Sequence, residues 1–129
     1  MDLRTVRLLA FSMLAVIVVV AAVAFTSASS NDSPALAIVL VGLAGLAALG
    51  AIAWVRNYPV SPGDAAAYGR VAVVKLALAE GAALIGFVVA LTLGPWWVTL
   101  VGGGFALAGL GLSWPSESDK ERHELLYLI

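Results

Sequence analysis

The chain predicts an all-α fold: an antiparallel four-helix transmembrane bundle, forming one integral membrane domain over residues 1–129, with N- and C-termini cytoplasmic. Three observations predict it. Hydrophobic residues make up 62% of the sequence and charged residues 12%, whereas soluble domains run near 45–50% and about 25%. The apolar residues fall in four blocks, at about 5–25, 35–55, 65–93 and 96–114; three are close to the roughly 20 residues that carry a helix across a bilayer, and the third is long enough to cross with tilt to spare. The basic residues sit at one side only: Arg4 and Arg7, then Arg56, Arg70 and Lys75, then Lys120 and Arg122. The turns between blocks 1 and 2 and between blocks 3 and 4 carry none, so the positive-inside rule turns both termini inward.

Block 1 follows Arg4 and Arg7 with the run LLAFSMLAVIVVVAAVAF. A basic start, an apolar centre and the small residues Ala22 and Ala24 resemble a secretory signal, but the run exceeds the usual h-region of about 7–15 residues. A retained helix is the reading adopted. The polar stretch TSASSNDSP from Thr26 to Pro34 is a turn, with Pro34 suited to the first turn of block 2. Block 2 is rich in small residues, and Gly42, Gly45 and Gly50 allow close helix–helix approach. Two prolines and a glycine in RNYPVSPGD, from Arg56 to Asp64, prevent either neighbouring helix from continuing, and Asp64 is a candidate N-cap. Block 3 ends at Gly94-Pro95, before Trp96-Trp97. Block 4 runs through LVGGGFALAGLGL to Trp114 and Pro115. Gly102-Gly103-Gly104 is read as close helix packing, because no Lys-Ser/Thr follows to make a phosphate loop. Trp54, Trp96, Trp97, Trp114, Tyr58 and Tyr68 read as interface anchors. The cytoplasmic tail 115–129 is charged, then apolar. It is either disordered or a short interfacial helix that sets Leu125, Leu126, Leu128 and Ile129 on lipid or on the bundle.

Composition excludes several function classes. Four spans leave no room for a soluble catalytic domain. The absence of cysteine removes disulfides, thiolate catalysis and Cys-ligated metals. A net charge of −1 offers no nucleic-acid surface. His123 is the single histidine, beside Glu121 and Glu124. It is read as part of a solvated tail, since a metal needs three or four ligands. No nucleophile–base pair is present, and Ser12, Thr92 and Thr99 are expected to bond back to the preceding helical turn. Catalytic residues, metal ligands and cofactors are therefore expected to be none.

The residue that stands out is Glu80, in the middle of AAAYGRVAVVKLALAEGAALIGFVVALTLG. An ionisable group at the bilayer centre costs at least a few kcal/mol and is a functional hypothesis by default. Arg70 and Lys75 lie toward the start of the same helix, where their stems can snorkel toward the headgroups, and they are candidates for electrostatic support. Lys75 is five residues from Glu80, about 140° around the helix, so it cannot make the i,i+4 pair that would neutralise it. Glu80 needs a partner on another helix, a bound cation or a proton. Val73, Leu76, Ala77, Ala83, Leu84 and Phe87 share its face, and the small neighbours Ala79 and Gly81 leave room for a backbone, a water or a cation.

The segment ALAEGAALIGFVVAL, with its acid amid Ala and Leu and a glycine six residues later at Gly86, resembles the carboxylate helix of the proteolipid c subunits of rotary ATP synthases. The glycine-rich block 2 and the polar Arg56-Asn57-Tyr58-Pro59 loop extend the resemblance over roughly 39–93. In that family the carboxyl takes up and releases the transported proton or sodium ion, and the resemblance gives that role to Glu80. The chain departs from the family in the irregular spacing of Gly42, Gly45 and Gly50, and in the helices on both sides of the hairpin.

The functional expectation is a non-enzymatic accessory or assembly subunit of a membrane complex. It would bind other membrane protein subunits, or itself, through Gly/Ala faces, with Glu80 paired to a basic residue of a partner. The alternative is a proteolipid-like proton- or sodium-binding transport component using Glu80. Partners are the lipid bilayer and membrane proteins, not nucleic acid. Small size and composition point to a prokaryotic plasma membrane.

Overall fold

The computed structural model describes residues 2–27 and 33–129. Most of the polar turn expected between blocks 1 and 2 lies outside these residues. The described residues form five α-helices and no strand: α1 (Leu3–Ser27), α2 (Pro34–Val55), α3 (Ala65–Leu93), α4 (Val98–Ser113) and α5 (Glu117–Leu128). The first three are long and apolar enough to cross a membrane. α4 is shorter and is bent by 66° from α5.

Local chemistry sets the helix ends. Pro34 occupies the first turn of α2, where its missing N–H costs nothing. The Asp64 carboxylate accepts from the Ala67 N–H at 3.0 Å and caps α3. Gly94, with φ of 52°, ends α3 in a conformation that a side chain would resist. Block 4 becomes helical at Val98 rather than at Trp96, because Trp96 and Trp97 form the turn that accepts from Thr99 and Leu100.

α3 is the central helix, in contact with α1, α2 and α4. Its buried residues, among them Tyr68, Ala72, Lys75, Ala79, Ala82, Ala83, Gly86 and Ala90, recur every three or four positions, the period of one helix face. Neighbours on several sides widen that face enough to cover both Lys75 and Glu80. Against α4 the pairing is backbone-close. A Cβ at Gly86 would stand 2.9 Å from the Gly102 Cα, and one at Gly109 would stand 2.9 Å from the Ala79 Cβ. α1 runs along α4 with Phe11 edge-on to Trp114 at 5.2 Å and Phe25 edge-on to Trp96 at 5.0 Å.

The outer faces of α1 and α2 are apolar as well. Leu8, Phe11, Val18 and Phe25 of α1 and Leu43, Leu46 and Trp54 of α2 are all more than half exposed. A helix that is apolar all round needs either a protein core or lipid around it.

Candidate functional site

The α2–α3 loop prepares the site. Pro59 and Pro62 keep it out of helix, so its backbone groups need partners from elsewhere, and α5 supplies them. The Tyr58 carbonyl accepts from His123 Nδ1 at 2.6 Å, the Arg56 carbonyl accepts from Arg122, and the Val60 N–H donates to the His123 carbonyl at 3.0 Å. α5 itself starts at Ser116, whose hydroxyl accepts from the Asp119 N–H at 3.1 Å.

Docked in this way, α5 turns its Asp119 and His123, one helical turn apart, onto Lys75. The Lys75 ammonium, wholly buried, donates to Asp119 Oδ1 at 2.8 Å and Oδ2 at 2.7 Å, and lies 3.0 Å from His123 Nε2. A carbonyl can only accept, so His123 Nδ1 carries the proton facing Tyr58, and Nε2 offers its lone pair to Lys75. All three ammonium hydrogens are thus used. The Asp119 carboxylate also accepts from the Tyr68 hydroxyl at 2.8 Å and from Arg122 at 2.5 Å. Burial works to raise the Asp119 pKa, but the hydrogen bond and charge of Lys75, with Tyr68 and Arg122, hold it below the usual carboxylate value. Burial pushes the His123 imidazole below its ordinary value. The Tyr58 carbonyl opposes the shift and the Lys75 charge adds to it.

This arrangement corrects two expectations. His123 is not a solvated tail residue: it is fully buried. Lys75 neither snorkels nor supports Glu80, because Asp119 and His123 occupy its three donors. Arg70 is exposed, and it sits ten residues before Glu80, about 15 Å along the helix. The tail is ordered as α5, and three of its four named apolar residues do not pack inward: Leu125, Leu128 and Ile129 are 62%, 69% and 97% exposed, while Leu126 is half-buried. α5 buries its polar stripe instead, because the loop and Lys75 present polar groups to it.

Glu80 lies deeper along α3. It is 9% exposed, and both carboxylate oxygens are buried with no hydrogen-bond partner among the described residues. A charged carboxylate in that position costs several kcal/mol unless a proton, a cation or water meets it. One turn on, Ala83 lines a cavity of about 160 Å³ with Ile17, Val20, Thr99 and Gly103, between α1, α3 and α4.

The glycines divide. Gly86 meets Gly102, Gly45 lies against the Phe105 ring, and Gly103 has Ile17 Cγ2 at 3.5 Å from where a Cβ would be. Gly42, Gly50 and Gly81 have nothing within 4 Å of that point, so among the described residues a side chain there would meet open space. Gly109, one of the tightest positions, was not singled out for packing in the sequence, whereas Gly102 belongs to the triplet that was. No group of three or more His, Asp or Glu side chains suited to a metal occurs among the described residues. Comparison of the chain with family models, with curated proteins and with solved structures finds no match.

Proposed function

We propose that the chain is a non-enzymatic integral membrane protein that binds a proton or a sodium ion at Glu80, as a transport component of its membrane. The observation that carries this reading is the pair of buried, unpartnered Glu80 oxygens, together with a Lys75 fully committed elsewhere. The reading sets α1 to α4 across the bilayer as an antiparallel bundle. α4, at 16 residues, spans about 24 Å, and local thinning of the bilayer accommodates a short span. α5 stays outside, since half of its residues are charged: Glu117, Asp119, Lys120, Glu121, Arg122 and Glu124. Arg7, Arg56, Lys75 and Arg122 gather at the α5 end of the bundle, which makes that end, and both termini, cytoplasmic.

A second reading keeps the chain as an accessory or assembly subunit. The open Gly42, Gly50 and Gly81 positions and the apolar outer faces of α1 and α2 favour it. The two readings separate on the reactivity of Glu80. A hydrophobic carbodiimide applied to the native membrane should add once, at Glu80, with the adduct absent in Glu80→Gln and suppressed at high pH. Protection by sodium would select that ion over the proton. The accessory reading expects an unreactive Glu80 and a co-purifying partner that Glu80→Gln loosens. An unreactive Glu80 with no such partner contradicts both.

A further inference from the structure

A cavity of about 340 Å³ opens where α4 gives way to α5, lined by Arg56, Leu112, Trp114, Ser116, Ser118, Asp119 and Arg122. Its electrostatics are unbalanced. Arg56 and Arg122 line it with one carboxylate, Asp119, whose oxygens already accept from Lys75, Tyr68 and Arg122. Glu117, exposed at the start of α5, is not among the lining residues. Arg56 Nε is buried without a hydrogen-bond partner among the described residues, a costly state for a guanidinium donor. Arg122 uses two of its five N–H groups, on the Arg56 carbonyl and on Asp119. Ser116 accepts a hydrogen bond as the cap of α5, so its own hydroxyl hydrogen is free to donate. The first turn of α5 adds the partial positive charge of a helix start. Leu112 and Trp114, at the end of α4, form the cavity's apolar wall.

We propose that this cavity is a binding site for an anionic phosphate group, held by the Arg56 and Arg122 guanidiniums and by the Ser116 and Ser118 hydroxyls. Guanidinium forks match phosphate oxygens in pairs, and the apolar wall suits a phosphate that carries acyl chains, an anionic phospholipid headgroup. Inorganic phosphate shares the recognition chemistry without the wall. The site is independent of Glu80 and stands or falls separately from the transport reading.

The test is native mass spectrometry of the full chain in detergent, with phosphatidylglycerol, diacylglycerol or inorganic phosphate added. Retention of phosphatidylglycerol over diacylglycerol is expected and identifies the lipid source. Binding of inorganic phosphate with no retained phosphatidylglycerol identifies a soluble source and keeps the site. Failure of both overturns the proposal. Arg56→Gln should lower occupancy about tenfold, the worth of a charged hydrogen bond, while the exposed Arg70→Gln should not. Equal losses in the two would mean diffuse surface charge and would overturn it. Should Arg56→Gln not fold, the exposed Ser118→Glu sets a carboxylate in the cavity and should expel the anion. Unchanged occupancy there is equally fatal.

Discussion

Removing the Asp119 carboxylate should release α5. In Asp119→Ala the Lys75 ammonium, 0% exposed, loses a counter-ion that is itself 7% exposed. Breaking a buried pair by deleting one partner costs about 3–5 kcal/mol, because the other charge stays buried. What remains for α5 is the Val60–His123 backbone hydrogen bond, the His123 ring between the Tyr58 carbonyl and Lys75, the Arg122 contact with the Arg56 carbonyl, and a long 3.4 Å bond from the Gly63 N–H to Glu124. The undocked population should therefore rise on the order of a hundredfold or more. Trypsin reads this directly, since Lys120 and Arg122 lie within α5, and cleavage follows the open population when closing is fast. Lys75→Met should cost less, about 1–3 kcal/mol, because Asp119 keeps Tyr68 and Arg122. The double variant Lys75→Met/Asp119→Ala should cleave more slowly than Asp119→Ala alone. Equal cleavage of Asp119→Ala and wild type, or a double variant no better than Asp119→Ala, would refute the ion-pair account of α5.

Three further outcomes are expected. The His123 pKa is depressed in the fold, so the unfolded or undocked state binds the extra proton first. Docking is fully stabilised above the ordinary value of 6.5 and weakens as pH falls below it; trypsin sensitivity of α5 should rise from pH 7 to pH 5, and His123→Asn should flatten that rise. Gly102→Ala would put a Cβ 2.7 Å from the Ala82 carbonyl oxygen and 2.8 Å from the Gly86 Cα, so thermal melts in detergent should show a loss of about 1–3 kcal/mol, while Gly42→Ala, with open space around it, should be neutral. Ser113 Oγ is buried without a partner among the described residues, so Ser113→Ala should be neutral or slightly stabilising in the same melts.

The helices of this fold were legible in the sequence, and the polar contacts were not. The apolar blocks at about 5–25, 35–55 and 65–93 lie within two residues of α1, α2 and α3, because Pro34, Asp64 and Gly94-Pro95 punctuate them locally. A short helix in the tail was one of two readings, but the docking of α5 escaped because its partners are distant in sequence. Asp119 meets a lysine 44 residues away, and His123 meets a loop carbonyl 65 residues away. A weak signal was present: Lys75 had no acid at helical spacing on α3, while Glu117, Asp119, Glu121 and Glu124 crowded the tail, with Asp119 and His123 sharing one face. The glycine contacts were half legible. Glycine count marks a helix as able to pack closely, but which glycine meets a neighbour depends on the rotation of each helix. That rotation separates the tight Gly45, Gly86 and Gly102 from the open Gly42, Gly50 and Gly81.

Whether Glu80 holds a proton or a cation inside the chain is read by infrared difference spectroscopy of the protein in lipid bilayers, wild type against Glu80→Gln, over a pH series with and without sodium. Binding at Glu80 should give a protonated-carboxyl carbonyl band that Glu80→Gln removes and that high pH or sodium converts to carboxylate absorption. A Glu80 that absorbs as carboxylate at every pH, with or without sodium, would contradict it.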